Sequence, residues 1–439
     1  MDFLRKLFDR KPEAPGIFDT PVRFGRFSDV YRTTEQNEAF DQAIKAHKKG
    51  DYLNTYRQFL AFLHHPKEEN VTVKEKSNRL DFEIFQGSRK ITGFATPEKF
   101  YASSKIAQAK ELNPSFMRRL LEQNFDLKYS RFSLSPDNEI VILFESASLD
   151  GSPYKLYPGL KEMAVFADKN DDLLIDEFEQ LRHTDQAPII KLPDEIANAK
   201  YEFITTEIRE ALDRMDKGDP DPGKYPVGYS FLLLSTAYKL DYLTKPEGYL
   251  MERLENIHRI AFRQDGFGPA RKNEEIRKEF EKLLKRPKEK YLRELYEVHS
   301  TFGITGPIEH NKLALVIDQE LPHMNWYLEN GYPEIALSIP EYIVSHCLFY
   351  YTIPPPDKAL FHLLLNVIEA DYFKSIGIPA LRNGGEPDKK GIRNAIGFVE
   401  ENFEEQYPNL KIDHSVLNYD SLPQFAKSFL TMVKNLNIS

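Results

Sequence analysis

The sequence predicts an α+β N-terminal domain, an antiparallel sheet with helices on one face, followed by an all-α helical domain. Three observations predict it. From Arg79 to about Arg182, stretches with period-two hydrophobicity alternate with amphipathic helical stretches. From Asp194 onward the apolar spacing is almost wholly helical, broken by loops rich in Pro and Gly such as KGDPDPGKYPVG and FGITGP. The length of 439 residues exceeds one typical core, while 41% hydrophobic and 29% charged content is ordinary for a folded globular chain. The expected organisation is an extended arm over residues 1–33, a helical hairpin plus the α+β domain over 34–185, and a helical domain over 186–439.

Taken in order, the N-terminal stretch MDFLRKLFDRKPEAPG has no apolar run long enough for a signal peptide, so a cytoplasmic location is expected. Its Phe3, Leu4, Leu7 and Phe8 share a helical face beside basic residues, a pattern able to graze a membrane surface. Nothing approaches the ~20 apolar residues of a span, so no stable membrane insertion is expected. Thr34 can cap a helix to about Lys49, and Tyr56, Phe59, Leu60 and Leu63 define the inner face of a second helix after the Gly50-Asp51 turn. Leu80, Phe82 and Ile84 alternate with Asp81, Glu83 and Phe85 in a strand that turns at Gln86-Gly87-Ser88 into RKITGF. After Pro97 the residues Phe100, Tyr101, Ile106 and Ala107 predict a helix, and a further helix is expected from about Pro114 to Gln123. Strands follow at Tyr129 to Leu134 and Glu139 to Ser146, then a helix from Leu156 to about Arg182. In the second half, helices are expected at Asp194 to Lys217, Tyr229 to Leu243, Gly248 to Phe262, Asn273 to Lys285, Lys288 to His299, and onward to about Leu436.

The run LLEQNFDLKYSRFSLSPDNEIVILFESASLD, followed by LKEMAVFADKNDDLLIDEF, resembles the type III secretion chaperone-like fold and its sensory-regulator relatives. In that family a helix ending in Leu-Leu-x-x-Asn precedes strands around Arg-Phe-x-Leu and a closing helix beginning near Ala-Asp. The resemblance covers about Thr72 to Leu181. It implies capture of a partner segment along the sheet or its flanking helices, and often homodimers; no cofactor is expected. The helical half resembles no family in this way.

The formal net charge of -9 disfavours nucleic acid as a partner of the whole molecule. Cys347, the single cysteine, sits in an apolar run and reads as an inert buried thiol. Asp168 to Glu179 places oxygen donors at the positions of a calcium loop, but Leu173 stands where glycine makes the sharp turn, and the same residues fit an uninterrupted helix. GFGPARK lacks the Gly-Lys-Ser/Thr of a phosphate loop. His310, His323, His346 and His362 lie near Glu309, Glu320, Glu341, Glu369 and Asp371, without any His-Glu-x-x-His, so no metal and no catalytic residue is assigned.

Two surfaces are singled out. On the sheet, Val141 and Leu143 point away from Ile140, Ile142 and Phe144, and Phe85 and Phe94 fall on that same second face. Either the helical half covers these four residues or a partner does. This gives the leading expectation, a non-catalytic protein-binding chain. The alternative is an enzyme or small-molecule binder with a pocket around His310, His323, Trp326 and His346.

Overall fold

The computed structural model describes residues 16–438 apart from 19, 21, 67, 183 and 185–188; the amphipathic stretch with Phe3, Leu4, Leu7 and Phe8 lies outside the described residues. Two compact units are present. One comprises 27–191 and 296–304, the other 16–26, 192–295 and 305–438.

The first unit opens with the helices α1 (Thr34–Lys48) and α2 (Tyr52–Leu63). Thr33 begins α1: its hydroxyl accepts from the Gln36 amide at 3.2 Å, and the Gln36 side chain accepts from the Thr33 amide at 3.0 Å. This reciprocal cap satisfies two donors that the helix start would orphan, and it sits one residue before Thr34. The sheet then follows with β1 (Val71–Lys76), β2 (Arg79–Gln86), β3 (Arg89–Ala95) and β4 (Lys99–Ala109). Helix α3 (Pro114–Asp126) leads to β5 (Arg131–Leu134) and β6 (Glu139–Ala147), and α4 (Pro153–Glu177) to β7 (Leu181–Arg182). All pairs are antiparallel, in the order β1-β2-β3-β4-β6-β5, with β7 on the end of β4. Leu80, Phe82, Ile84, Phe100, Ile142 and Phe144 face inward onto Leu160, Met163 and Ala164 of α4 and Tyr56 and Phe59 of α2.

The helix expected after Pro97 is instead β4, an 11-residue strand between β3 and β6. Phe100, Ala102 and Ser104 alternate inward, and a bulge between Lys105 and Ala107 then turns both Ile106 and Ala107 to the core. The extra residue breaks period two, leaving an apolar spacing that mimics a helix. Pairing on both sides outweighs the helix preference of its Ala, Lys and Gln residues. The helix expected to reach Arg182 stops at Glu177. Edge strand β1 had no sequence signal of its own, because five of its six residues are exposed.

The helix expected to continue to His299 stops at Leu292, and the chain from Tyr296 becomes part of the α+β unit. The strand β9 (Tyr296–Glu297) pairs with β8 (Ile190–Lys191). The Gln86 Oε1 accepts from the Thr301 and Phe302 amides at 3.1 and 2.9 Å. Buried Asn70 donates to the Leu63 carbonyl and to the Thr301 hydroxyl, each at 3.0 Å, and accepts from the His65 amide at 2.7 Å. These side chains satisfy backbone groups that a buried, non-repetitive segment would leave unpaired.

The second unit contains α5 (Asp194–Lys217), α6 (Pro226–Thr244), α7 (Gly248–Phe262), α8 (Pro269–Leu284), α9 (Lys288–Leu292), α10 (His310–Glu320), α11 (Met324–Glu329) and α12 (Pro333–Tyr350). It continues with α13 (Pro355–Ile368), α14 (Ala370–Ser375), α15 (Lys389–Phe403) and α16 (Leu422–Lys434). Helix α6 is buried on every side from Phe231 to Thr244 and packs along α12, as expected of a helix without a polar face. The chain at 16–26 docks onto this core. The Gly25 amide donates to the Tyr242 carbonyl at 2.8 Å, and Gly25 has φ +69°, where an added Cβ would lie 2.7 Å from the Tyr242 ring. Arg26 clamps Asp241 with two bonds of 2.8 and 3.0 Å and reaches Glu255 at 3.2 Å.

Candidate functional site

On the second face of the sheet, Phe85, Phe94, Val141 and Leu143 are each partly buried rather than open. Phe94 lies between the Arg79 guanidinium, 4.1 Å from its centroid, and the Tyr101 ring, stacked at 5.4 Å. Phe85 has the His299 ring at 6.2 Å. Val141 stands opposite Lys105 and Ser133, and Leu143 opposite Ser103 and Arg131. Ion pairs cross the same face, Arg131 with Glu145 at 2.6 Å and Lys105 with Glu139 at 2.8 Å. Charged and polar side chains therefore interleave with the four apolar ones, which do not merge into one patch.

Among the open apolar side chains of this unit, which include Leu149 and Tyr154, two share one face of α3. Asn113 caps it, accepting from the Ser115 amide at 2.8 Å, and Pro114 supplies a first helical residue whose missing amide would be unpaired anyway. Phe116 and Leu120 point into the core. Asn124 fixes the far end by accepting from the Phe132 amide at 2.7 Å and donating to the Phe132 carbonyl at 3.3 Å. Glu162 of α4 accepts from the amides of Lys128, Tyr129 and Ser130 at 2.9, 2.9 and 2.8 Å. Burial works against its charge, and those amides outweigh it, holding the Glu162 carboxyl below its ordinary range. The C-terminal end of α3 is thus tied to the sheet and to α4, and its inner face is anchored in the core by Phe116 and Leu120. Its outer face presents Leu121 and Phe125, 68% and 92% exposed, with Arg118 and Glu122 beside them. The helix carries more apolar residues than its inner face accommodates, and that excess is its sequence signal.

The pocket residues expected in the helical unit occupy separate surroundings. His310 is buried, with Nδ1 3.0 Å from Asp357 Oδ1; burial works against its charge, and the Asp357 carboxylate more than offsets it, raising the pKa. His323 is exposed beside Phe231, and Trp326 is exposed against Tyr225 and Tyr332. His346 lies in a ring cluster with Tyr342, Tyr238 and His258. A row of rings links two of them, His323 to Phe231, Phe231 to Tyr342 and Tyr342 to His346, at 5.9, 5.1 and 5.3 Å. His362 is structural: it contacts the Ile17 carbonyl at 3.1 Å and the Tyr242 hydroxyl at 3.2 Å, and burial lowers its pKa to about 4. Cys347 is buried, and burial raises its thiol pKa.

A cluster without a sequence signal of spacing lies deeper in the same unit. The buried ammonium of Lys239 on α6 is 2.7 Å from Glu207 of α5, 2.5 Å from Glu369 after α13, and 3.6 Å from Glu341 of α12. Burial works against the Lys239 charge, and the three carboxylates outweigh it, so its pKa stands well above ordinary. A lysine so held is no nucleophile. Burial, then the Glu207 charge, pushes the Glu369 pKa up to about 8, so the cluster carries an extra proton at neutral pH. Among the described residues no group of three or more His, Cys, Asp or Glu side chains is placed to hold a metal ion. The calcium-like acidic run is helical up to Glu177; Asp168 accepts from the Ser88 amide at 2.9 Å and closes the β2–β3 turn. Lys272 of GFGPARK donates to the Ala261 and Arg263 carbonyls at 2.9 and 2.8 Å, ending α7. No helix among the described residues is long and apolar enough to cross a membrane. Comparison with protein-family models, curated proteins and solved structures finds no match to this chain.

Proposed function

We propose that this chain is a non-catalytic protein-binding protein whose α+β unit associates with a second copy of itself through α3. The observation that carries the reading is the outer face of α3, where Leu121 and Phe125 stand in the open on a helix whose C-terminal end is tied to the sheet and to α4. Arg118, Leu121, Glu122 and Phe125 follow the three- and four-residue spacing of a helix seam. Basic Arg118 and Arg119 occupy its first half, and acidic Glu122 and Asp126 its second half. A two-fold axis crossing between Leu121 and Glu122 sets Arg118 of each copy against Glu122 and Phe125 of the other. The face is self-complementary, which is what an isologous contact requires. The resemblance to secretion chaperones points toward protein partners as well.

One helix pair buries less than the ~1,200 Å² of a standard interface, so a concentration-dependent dimer is expected. Sedimentation equilibrium of the full chain should show it, and L121D and F125D should remain monomeric with unchanged circular dichroism. Charge reversal R118E should weaken association, and R118E/E122R should restore it. A wild-type chain that stays monomeric at hundreds of micromolar, or a double reversal that restores nothing, would overturn the self-association.

A further inference from the structure

The rings that meet where α6, α7 and α12 converge include Tyr238, His258, Phe262, Tyr342, His346 and Tyr350, whose neighbouring centroids are 4.8 to 6.3 Å apart. Tyr342, His346 and Tyr350 stand one turn apart on α12. His346 lies within 4° to 20° of parallel to Tyr342, Tyr350, Phe262 and His258. The rings at the outer end are open, Phe262 at 46% and Tyr350 at 48% exposed. Two features separate this cluster from ordinary core. The Nδ1 of His346 is buried without a hydrogen-bond partner, a state that costs about 1–3 kcal/mol. Charge is also spent locally: Arg26 is matched by Asp241 and Glu255, and Arg259 by Glu252 and Glu255. The Tyr238 hydroxyl is engaged with His258 Nδ1 at 2.7 Å.

The geometry points to a binding site for a neutral planar aromatic compound bearing a single O–H or N–H, of the size of phenol or indole. Such a ligand stacks on the exposed rings, and its polar hydrogen or oxygen supplies the partner that His346 Nδ1 lacks. Phe262 is the last residue of α7, where helix ends fray, and its half-exposed ring lies 5.9 Å from that of His346, so the ligand would reach the nitrogen by displacing this ring. An anionic ligand is disfavoured, because the guanidinium groups of Arg26 and Arg259 are already matched by carboxylates.

Titration calorimetry of the full chain with phenol, indole and toluene tests this. Saturable binding of phenol and indole, at least tenfold tighter than toluene, is expected, and H346F should lose at least tenfold toward phenol while still binding toluene. No saturation by either polar compound, equal affinity for phenol and toluene, or unchanged phenol binding in H346F would overturn the proposal. The phenol-to-toluene comparison uses the wild type alone and decides the matter even where H346F fails to fold. The F125D monomer should bind phenol as the wild type does, so this outcome is independent of self-association through α3.

Discussion

In the helical unit the charged side chains Lys239, Glu207, Glu341, Glu369, Arg26 and Asp241 lie inside, paired with one another at distances near 3 Å. In the α+β unit, ion pairs such as Arg131 with Glu145 and Lys90 with Glu83 lie on the second sheet face, and Leu121 and Phe125 are among the large apolar side chains left in solvent, with Leu149 and Tyr154. The contrast separates two kinds of vulnerability. Interior ion pairs make stability depend on each partner and on pH. An exposed apolar helix face contributes little to the fold and is available for association.

The largest expected effect comes from breaking the interior cluster. Lys239→Met leaves three buried carboxylates without their cation, a change of the kind that costs about 3–5 kcal/mol. Trp326 is the single tryptophan and belongs to the helical unit, so its fluorescence during denaturant unfolding reports the loss there. An unshifted midpoint would show that the carboxylates neutralise themselves without the lysine. The corresponding break in the α+β unit is Asn70→Ala, which unpairs the Leu63 carbonyl, the His65 amide and one bond of Thr301. A destabilisation of about 1–3 kcal/mol is expected, read as faster amide exchange at Thr301 and Phe302. Exchange unchanged at those two amides would mean that Gln86 and the Thr301 bond to the Phe85 carbonyl hold the segment without Asn70.

The pH dependence sharpens the same contrast. Glu369 has a folded pKa of about 8 against an unfolded value near 4.3. Its protonated form is the one the fold favours, so this contribution is complete below about pH 4.3 and is lost as pH rises through 8. His346 and His362, lowered by burial to about 4, act in the opposite sense below about pH 6.5. Between about 6.5 and 8 the helical unit should therefore lose stability, by up to about 1.4 kcal/mol per pH unit for one proton. Glu369→Gln should flatten that slope. Trp326-monitored unfolding at pH 6.5, 7.25 and 8 measures it, and a slope unchanged in the variant would remove Glu369 as the titrating group.

How much of this could be read from the sequence follows the distance over which each feature is encoded. Helices α5 and α7 have the expected bounds because their signals are local: an amphipathic repeat, ended in α5 by Gly218 in the left-handed region. Strand β4 was hidden because its bulge exists only against β6. The 296–304 segment was unreadable in principle, since its partners Asn70 and Gln86 lie 231 and 215 residues away from Thr301. The Lys239 cluster had one local cue, a lysine in the largely apolar FLLLSTAYKLDYL, which demands counterions without naming them. His346 was singled out, whereas His258 and Phe262 reach it only through the packing of α7 on the same core.

The smallest effect on stability is expected where the effect on behaviour is large. Phe125→Ala removes a ring that is 92% exposed, so monomer stability should change by no more than about 0.5 kcal/mol. The same change deletes the apolar centre of the α3 face, and association should fall to the level of F125D. Denaturant unfolding at micromolar concentration and sedimentation at high concentration, made on one sample, separate the two quantities. A loss of several kcal/mol in the dilute monomer would mean that Phe125 packs within its own unit, and the opposition between a charge-filled interior and an open binding helix would no longer hold. Unchanged stability with lost association would assign Phe125 to the partner and not to the fold.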